Sequence, residues 1–153
     1  MIVYRLSKSK FAADLSGKGA EKAGGRWNSK GTAMVYTSAS RALCTTEIAV
    51  HTPLGNLPQD YMLVTIEIPD TTPILEFSLD ELPPDWKSIP HAHSTQVIGD
   101  NFVAEGLYSV LKVPSVVVQD EFNYLLNPLH PAAREVVIRG IEPFNFDERL
   151  FNR

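Results

Sequence analysis

Short β-prone segments and two helix-like stretches follow one another in no regular strand–helix–strand rhythm, and this order predicts an α+β fold in place of a doubly wound parallel sheet. The length of 153 residues, 44% of them hydrophobic, suffices for one core, so a single domain over 1–153 is expected. The eleven prolines are scattered through loops without marking a linker, and no segment repeats at a fixed period.

Ile2 to Leu6 is short and β-prone, and predicts a first strand. Ser7 to Lys30 is rich in Gly, Ser, Lys and Ala and reads as a long loop, a kind of segment that in compact domains is usually functional. Ala33 to Thr37 resumes as a strand. Ser38 or Ser40 then caps a helix running to about His51, where Thr52-Pro53 stops it. Tyr61 to Ile68 alternates, with Met62, Val64, Ile66 and Ile68 on one face, and Ile74 to Phe77 gives a shorter strand before the Pro83-Pro84 break. Val97, Ile98, Phe102 and Val103 have helical spacing within His93 to Glu105, and Gly106 is the stop. Leu107 to Val113 and Ser115 to Gln119 read as strands around Pro114, and Val136 to Ile141 as the last one.

Charge is sorted along the chain. The formal net charge is -4, yet residues 1 to 50 carry eight Lys and Arg against three acids, and residues 51 to 153 carry six against fifteen. Such an asymmetry points to an anion-handling segment near the N-terminus. The lone Cys44 makes no internal disulfide and belongs to no zinc pattern, which favours a reducing, cytoplasmic setting. His91 and His93 lack a third ligand at metal spacing and read as a polar helix start, so no metal is expected. No run approaches the roughly 20 apolar residues of a membrane span. No basic-aromatic stripe or reader motif favours direct nucleic-acid binding.

Four residues are candidates for chemistry. Gly24-Gly25-Arg26-Trp27-Asn28 joins two glycines, which allow close backbone approach, to a guanidinium suited to phosphate; as an ordinary loop it would use Trp27 as its anchor. Glu47 has Leu43, Cys44, Ile48 and Val50 as its helical neighbours, so its carboxylate lies at the edge of an apolar stripe, either as a functional group or in a structural ion pair with Arg5 or Arg41. Tyr36 ends the strand that feeds this helix, where its ring could stack on a planar ligand or belong to the core. Ser115 follows Pro114 at the head of an apolar run and offers a hydroxyl at a sheet edge, or serves as a turn residue.

In that order, Arg26, Glu47 and Ser115 resemble the RES-domain family, named for its Arg, Glu and Ser. The flanking sequence is similar too: Gly24-Gly25-Arg26-Trp27-Asn28, Val35-Tyr36-Thr37, Glu47-Ile48-Ala49-Val50-His51, Val113-Pro114-Ser115, Asn123-Tyr124-Leu125-Leu126-Asn127-Pro128 and His130-Pro131. The similarity runs from Tyr4-Arg5 to about Ile138. It implies a mixed central sheet resembling the ADP-ribosyltransferase fold. It also implies a toxin of a bacterial toxin–antitoxin pair that consumes NAD by cleaving the nicotinamide–ribose bond. The ADP-ribosyl group would pass to phosphate or water; an ADP-ribosyltransferase acting on a protein, or an inactive module that only binds NAD or a partner, are the alternatives. NAD is then substrate, with inorganic phosphate as a possible co-substrate, and no separate cofactor is implied.

On this resemblance Arg26, Glu47, Tyr36 and Ser115 are the expected catalytic group, with Arg5, Gly25, Trp27, Asn28, Arg41 and Asn123 as substrate-binding candidates. An oxocarbenium-like transition state requires opposite charges at two places, a cation for the pyrophosphate and a carboxylate for the ribose. Arg41 lies six residues before Glu47, hence on a different helical face. The implied partner is a helix-turn-helix antitoxin whose C-terminal part blocks the active site, in some higher toxin–antitoxin oligomer.

Overall fold

A computed structural model describes residues 1–152. Seven strands form one sheet: β1 (Ile2–Lys8), β2 (Val35–Ser38), β3 (Tyr61–Glu67), β4 (Ile74–Glu76), β5 (Val110–Pro114), β6 (Phe122–Leu126) and β7 (Val137–Phe144). Their order is β4-β5-β6-β2-β1-β3-β7. Only β4 and β5 pair in parallel, so the sheet is mixed and the α+β expectation holds. Three helices accompany it, α1 (Lys18–Ala23), α2 (Arg41–His51) and α3 (His93–Glu105).

Alternation along the strands sorts the core between two faces. Val3, Val35, Val64, Ile66, Val110 and Leu126 bury one face, and the predicted Val64–Ile66–Ile68 row belongs to it. The opposite face carries two clusters. Trp27, Met34, Phe102, Leu111, Val113 and Leu125 pack with α3, whereas Leu6, Cys44, Leu63, Phe146 and Phe151 pack with α2. Phe146 makes edge-to-face contacts with Tyr61, Phe144 and Phe151, which closes the end of the second cluster.

Several expectations are corrected. Ser7 to Lys30 is not structureless: it contains a single 3₁₀ turn at Ser9–Phe11 and the six-residue α1. Six residues are too few for intrinsic propensity to announce a helix, and α1 depends on tertiary contacts such as the Asn28 side-chain amide donating to the Ala20 carbonyl at 2.8 Å. Ser115 to Gln119 is no strand. The Ser115 hydroxyl accepts from the Val117 and Val118 N–H groups at 3.0 and 3.1 Å, and this local turn overrides the β preference of the valines. The strand starts later, at Phe122, after Asp120 has reversed the chain with φ 61°. Ser40 is the α2 cap, accepting from the Leu43 N–H at 3.1 Å, while Ser38 lies within β2. The last strand continues to Phe144 through Pro143, which β7 tolerates because it is an edge strand.

Candidate active site

The Gly24–Ser29 loop is held against α3 by most of that helix's inner face. Gly25 N–H donates to the Asn28 carbonyl at 2.9 Å, closing a tight turn. Gln96 Nε2 donates to the Gly25 and Asn28 carbonyls, Thr95 Oγ1 to the Arg26 carbonyl, and Ser29 N–H to Asp100 Oδ1. Gly99 lets the backbones touch, since a Cβ there would lie 1.6 Å from the Trp27 carbonyl oxygen. Trp27 is buried in the α3 cluster and Asn28 has no exposed surface. The Asn28 amide donates to the Ala20, Ser29 and Thr32 carbonyls, and its Oδ1 accepts from the Tyr36 hydroxyl at 2.7 Å. Trp27 and Asn28 thus build the loop; neither side chain lines the cleft described next.

A cleft of about 290 Å³ opens over β1, β2 and β6 beside α2. Tyr4, Arg5, Tyr36, Ser38, Glu47 and Asn123 line it, together with Cys44, Ile48 and His51 of α2. It lies between the α2 and α3 clusters, as the partly buried Tyr4 and Ile48 pack on the first and Tyr36 on the second. Residues far apart in sequence meet here. Glu47 Oε1 accepts from Ser115 Oγ at 3.0 Å and from Asn123 Nδ2 at 2.9 Å, across 68 and 76 residues of sequence. Asn123 Oδ1 in turn accepts from Ser38 Oγ at 2.8 Å.

The Ser115 hydroxyl is saturated: it donates to Glu47 and accepts from two backbone N–H groups. It therefore serves the carboxylate. The Tyr36 hydroxyl, accepting from the Trp27 N–H at 3.1 Å and donating to Asn28, is likewise committed, and burial raises its pKa far above the ordinary phenol range. What Tyr36 offers the cleft is its ring.

The three candidate arginines have different surroundings. Arg5 lines the cleft, where its Nη1 donates to the Asp14 carbonyl at 2.6 Å; burial lowers its pKa and the Asp14 charge partly offsets this. Among the described residues no carboxylate forms a salt bridge with it. Arg26 donates through Nη1 to the Trp86 and Ser88 carbonyls, both at 2.9 Å, and so ties its own loop to the segment before α3. Partial burial lowers its pKa, and the charge of Glu47 acts in the opposite sense. Arg41 faces elsewhere: it pairs with Glu142 on β7 at 2.8 Å, both side chains being more than half exposed, and lies over the Tyr4 ring. It is not in the cleft wall. Among the described residues no group of three or more His, Cys, Asp or Glu is placed to hold a metal ion, and no helix is long and apolar enough to cross a membrane.

Sequence reasoning missed Tyr4, Ser38, Cys44 and His51 as cleft residues. His51 carries a readable signal, since it follows Glu47 by four residues and so shares its helical face. Ser38 has none, because its role depends on pairing opposite Asn123 between β2 and β6.

The architecture is that of an ADP-ribosyltransferase-like fold. It matches a chain of the crystal structure of the M. tuberculosis MbcT–MbcA toxin–antitoxin complex with a TM-score of 0.75 over 98% of this chain and 86% of that one, at 20% identity. The RES domain model matches residues 2–147, and the chain belongs to the RES-domain family. Among its relatives are a "Prs ADP-ribosylating toxin" of Sphingobium sp. (strain YBL2), 37% identical over 150 residues that cover 93% of this chain and 89% of the relative. A "Toxin Res" of Pseudomonas putida KT2440 is 35% identical over 153 residues, covering 99% and 100%.

Proposed function

We propose that the protein is a toxin enzyme that degrades NAD by cleaving the nicotinamide–ribose bond and passing ADP-ribose to phosphate or water. The observation that carries this reading is Glu47, whose carboxylate lines the cleft with one oxygen held by two donors. Its Oε2 is then free to hydrogen-bond ribose hydroxyls and to stabilise the positive charge that develops as neutral nicotinamide leaves. At about 290 Å³ the cleft suits the nicotinamide–ribose half of the dinucleotide, with the remainder extending from its mouth. Tyr36 supplies an aromatic wall for the nicotinamide. Arg5, a partly buried cation in the wall, meets the pyrophosphate, and Arg26 adds positive potential behind the Gly24-Gly25 turn. Water as acceptor gives ADP-ribose, nicotinamide and a proton; phosphate as acceptor gives ADP-ribose 1″-phosphate and nicotinamide.

An antitoxin with a helix-turn-helix region, whose C-terminal part occupies the cleft in a toxin–antitoxin oligomer, is the proposed partner, and the cytoplasm the proposed location. The neighbour's title, which names a toxin–antitoxin complex, supports such a partner. The name of the Sphingobium relative favours a second reading, in which the acceptor is a protein.

Incubation of monodisperse, antitoxin-free protein with NAD, with and without phosphate, tests these readings by product mass. Nicotinamide with ADP-ribose or its 1″-phosphate is expected. With a cell extract added as a source of acceptors, transfer of label from NAD to proteins would select the second reading. Intact NAD after prolonged incubation without the extract would overturn the first, and intact NAD with it would overturn both.

A further inference from the structure

We propose that Ser38 is a positioning residue that holds Glu47 through the Asn123 amide. The inference rests on the reading of Glu47 as the group that meets the ribose. Ser38 on β2 and Asn123 on β6 are directly opposed across the sheet, so their side chains leave the same face at adjacent points. Glu47 approaches that face from α2, and its Oε1 takes the Asn123 Nδ2 hydrogen. A carboxylate only accepts, so the Asn123 amide must present its nitrogen to Glu47 and its oxygen away from it. The Ser38 hydroxyl donates to that oxygen at 2.8 Å and completes the arrangement.

The Ser38 end of the relay is shielded. Ser38 is 5% exposed and lies against the Cys44 thiol, so water does not readily replace its hydroxyl. Without that donor, Asn123 Oδ1 is left unpaired beside the cleft, and the amide can relax its orientation away from Glu47. Ser115 then remains as the other donor on Oε1, one contact that fixes a distance but not the plane of the carboxylate. The consequence concerns the angle at which Oε2 meets the ribose, and angular error of this kind lowers the rate of the chemical step more than it weakens binding.

The test is steady-state NAD turnover by Ser38→Ala, Ser38→Thr and Asn123→Asp, alongside crystal structures of the first and last. For Ser38→Ala a fall in kcat of about tenfold with KM within about twofold is expected, the size of one lost buried hydrogen bond. Ser38→Thr keeps the hydroxyl and is expected to recover kcat to within about threefold of wild type. Asn123→Asp, which sets a second carboxylate against Glu47, is expected to cost about a hundredfold. In the Ser38→Ala crystals Asn123 Nδ2 should lie beyond about 3.5 Å from Glu47 Oε1. Wild-type kcat in Ser38→Ala, a rise in KM alone, or an unmoved Asn123–Glu47 pair in its crystals would overturn the relay. Should wild type leave NAD intact, the functional reading fails, and the crystallographic comparison still decides whether Ser38 holds Glu47.

Discussion

Tyr36 Oη donates to Asn28 Oδ1 at 2.7 Å, which ties the β2 strand to the turn that presents Arg26. The same oxygen accepts the Trp27 N–H, so one phenol satisfies two buried groups of the loop. Tyr36→Phe leaves both unpaired. A loss of about 1–3 kcal/mol is expected, and calorimetry should show a Tm lowered by roughly 2–4 °C for each kcal/mol at this chain length. A Tm equal to that of wild type would refute the assignment.

Gly99 is the point where α3 touches the loop. Gly99→Ala gains helix propensity of about 1 kcal/mol, yet its new Cβ would lie 1.6 Å from a backbone oxygen, so helix and loop must separate. Net destabilisation of about 3 kcal/mol is expected in urea unfolding. Gly19, which has nothing within 4 Å of an added Cβ, provides the control: Gly19→Ala should not destabilise.

Arg26 and Arg41 predict opposite outcomes. Arg26→Ala removes the donor shared by the Trp86 and Ser88 carbonyls, and hydrogen exchange in the segment from Trp86 to His91 should accelerate.

Arg41→Ala breaks an exposed pair, for which a change below about 1 kcal/mol is expected. NAD turnover by Arg41→Ala should stay within about twofold of wild type, because the side chain is outside the cleft wall. A large loss of turnover would return Arg41 to the substrate-binding set.

Burial pushes the Cys44 thiol up to about 11 from an ordinary 9.0. The folded chain then keeps a proton that the unfolded chain loses. The stability this contributes is complete below pH 9 and disappears as pH rises through about 11. Urea unfolding should therefore show stability falling between those pH values more steeply in wild type than in Cys44→Ala. Iodoacetamide at pH 8 should label Cys44 only in denaturant.

Much of this organisation is legible in the sequence, and the reasons for the rest are physical. β propensity marks β1, alternation marks β3, and a cap at Ser38 or Ser40 with the Thr52-Pro53 stop marks α2, because such signals are local. Ser115–Gln119 misled, because a side-chain hydroxyl captured the N–H groups that a strand would have used. Glu47 stood out as an acid on an apolar stripe, but its donors lie 68 and 76 residues away and no spacing rule reaches them. Trp27 and Asn28 are substrate-binding candidates only through the family resemblance, and the reading of Trp27 as a loop anchor is the one its burial matches. The close packing of Trp27 on α3 needs Gly99, whose missing side chain reveals nothing until α3 is placed against the loop. Asn28 is buried by its own bonds to Ala20, Ser29, Thr32 and Tyr36.

The place of β6 between β5 and β2 also sets when the site can come into being during synthesis. Chains emerge from the ribosome N-terminus first. A nascent chain ending before Asn123 holds Arg5, Arg26, Tyr36 and Glu47, yet it lacks the strand that completes the cleft floor and one of the two donors to the carboxylate. The cleft and its carboxylate therefore cannot take their final form until synthesis has passed Asn123, however early Arg5, Tyr36 and Glu47 emerge.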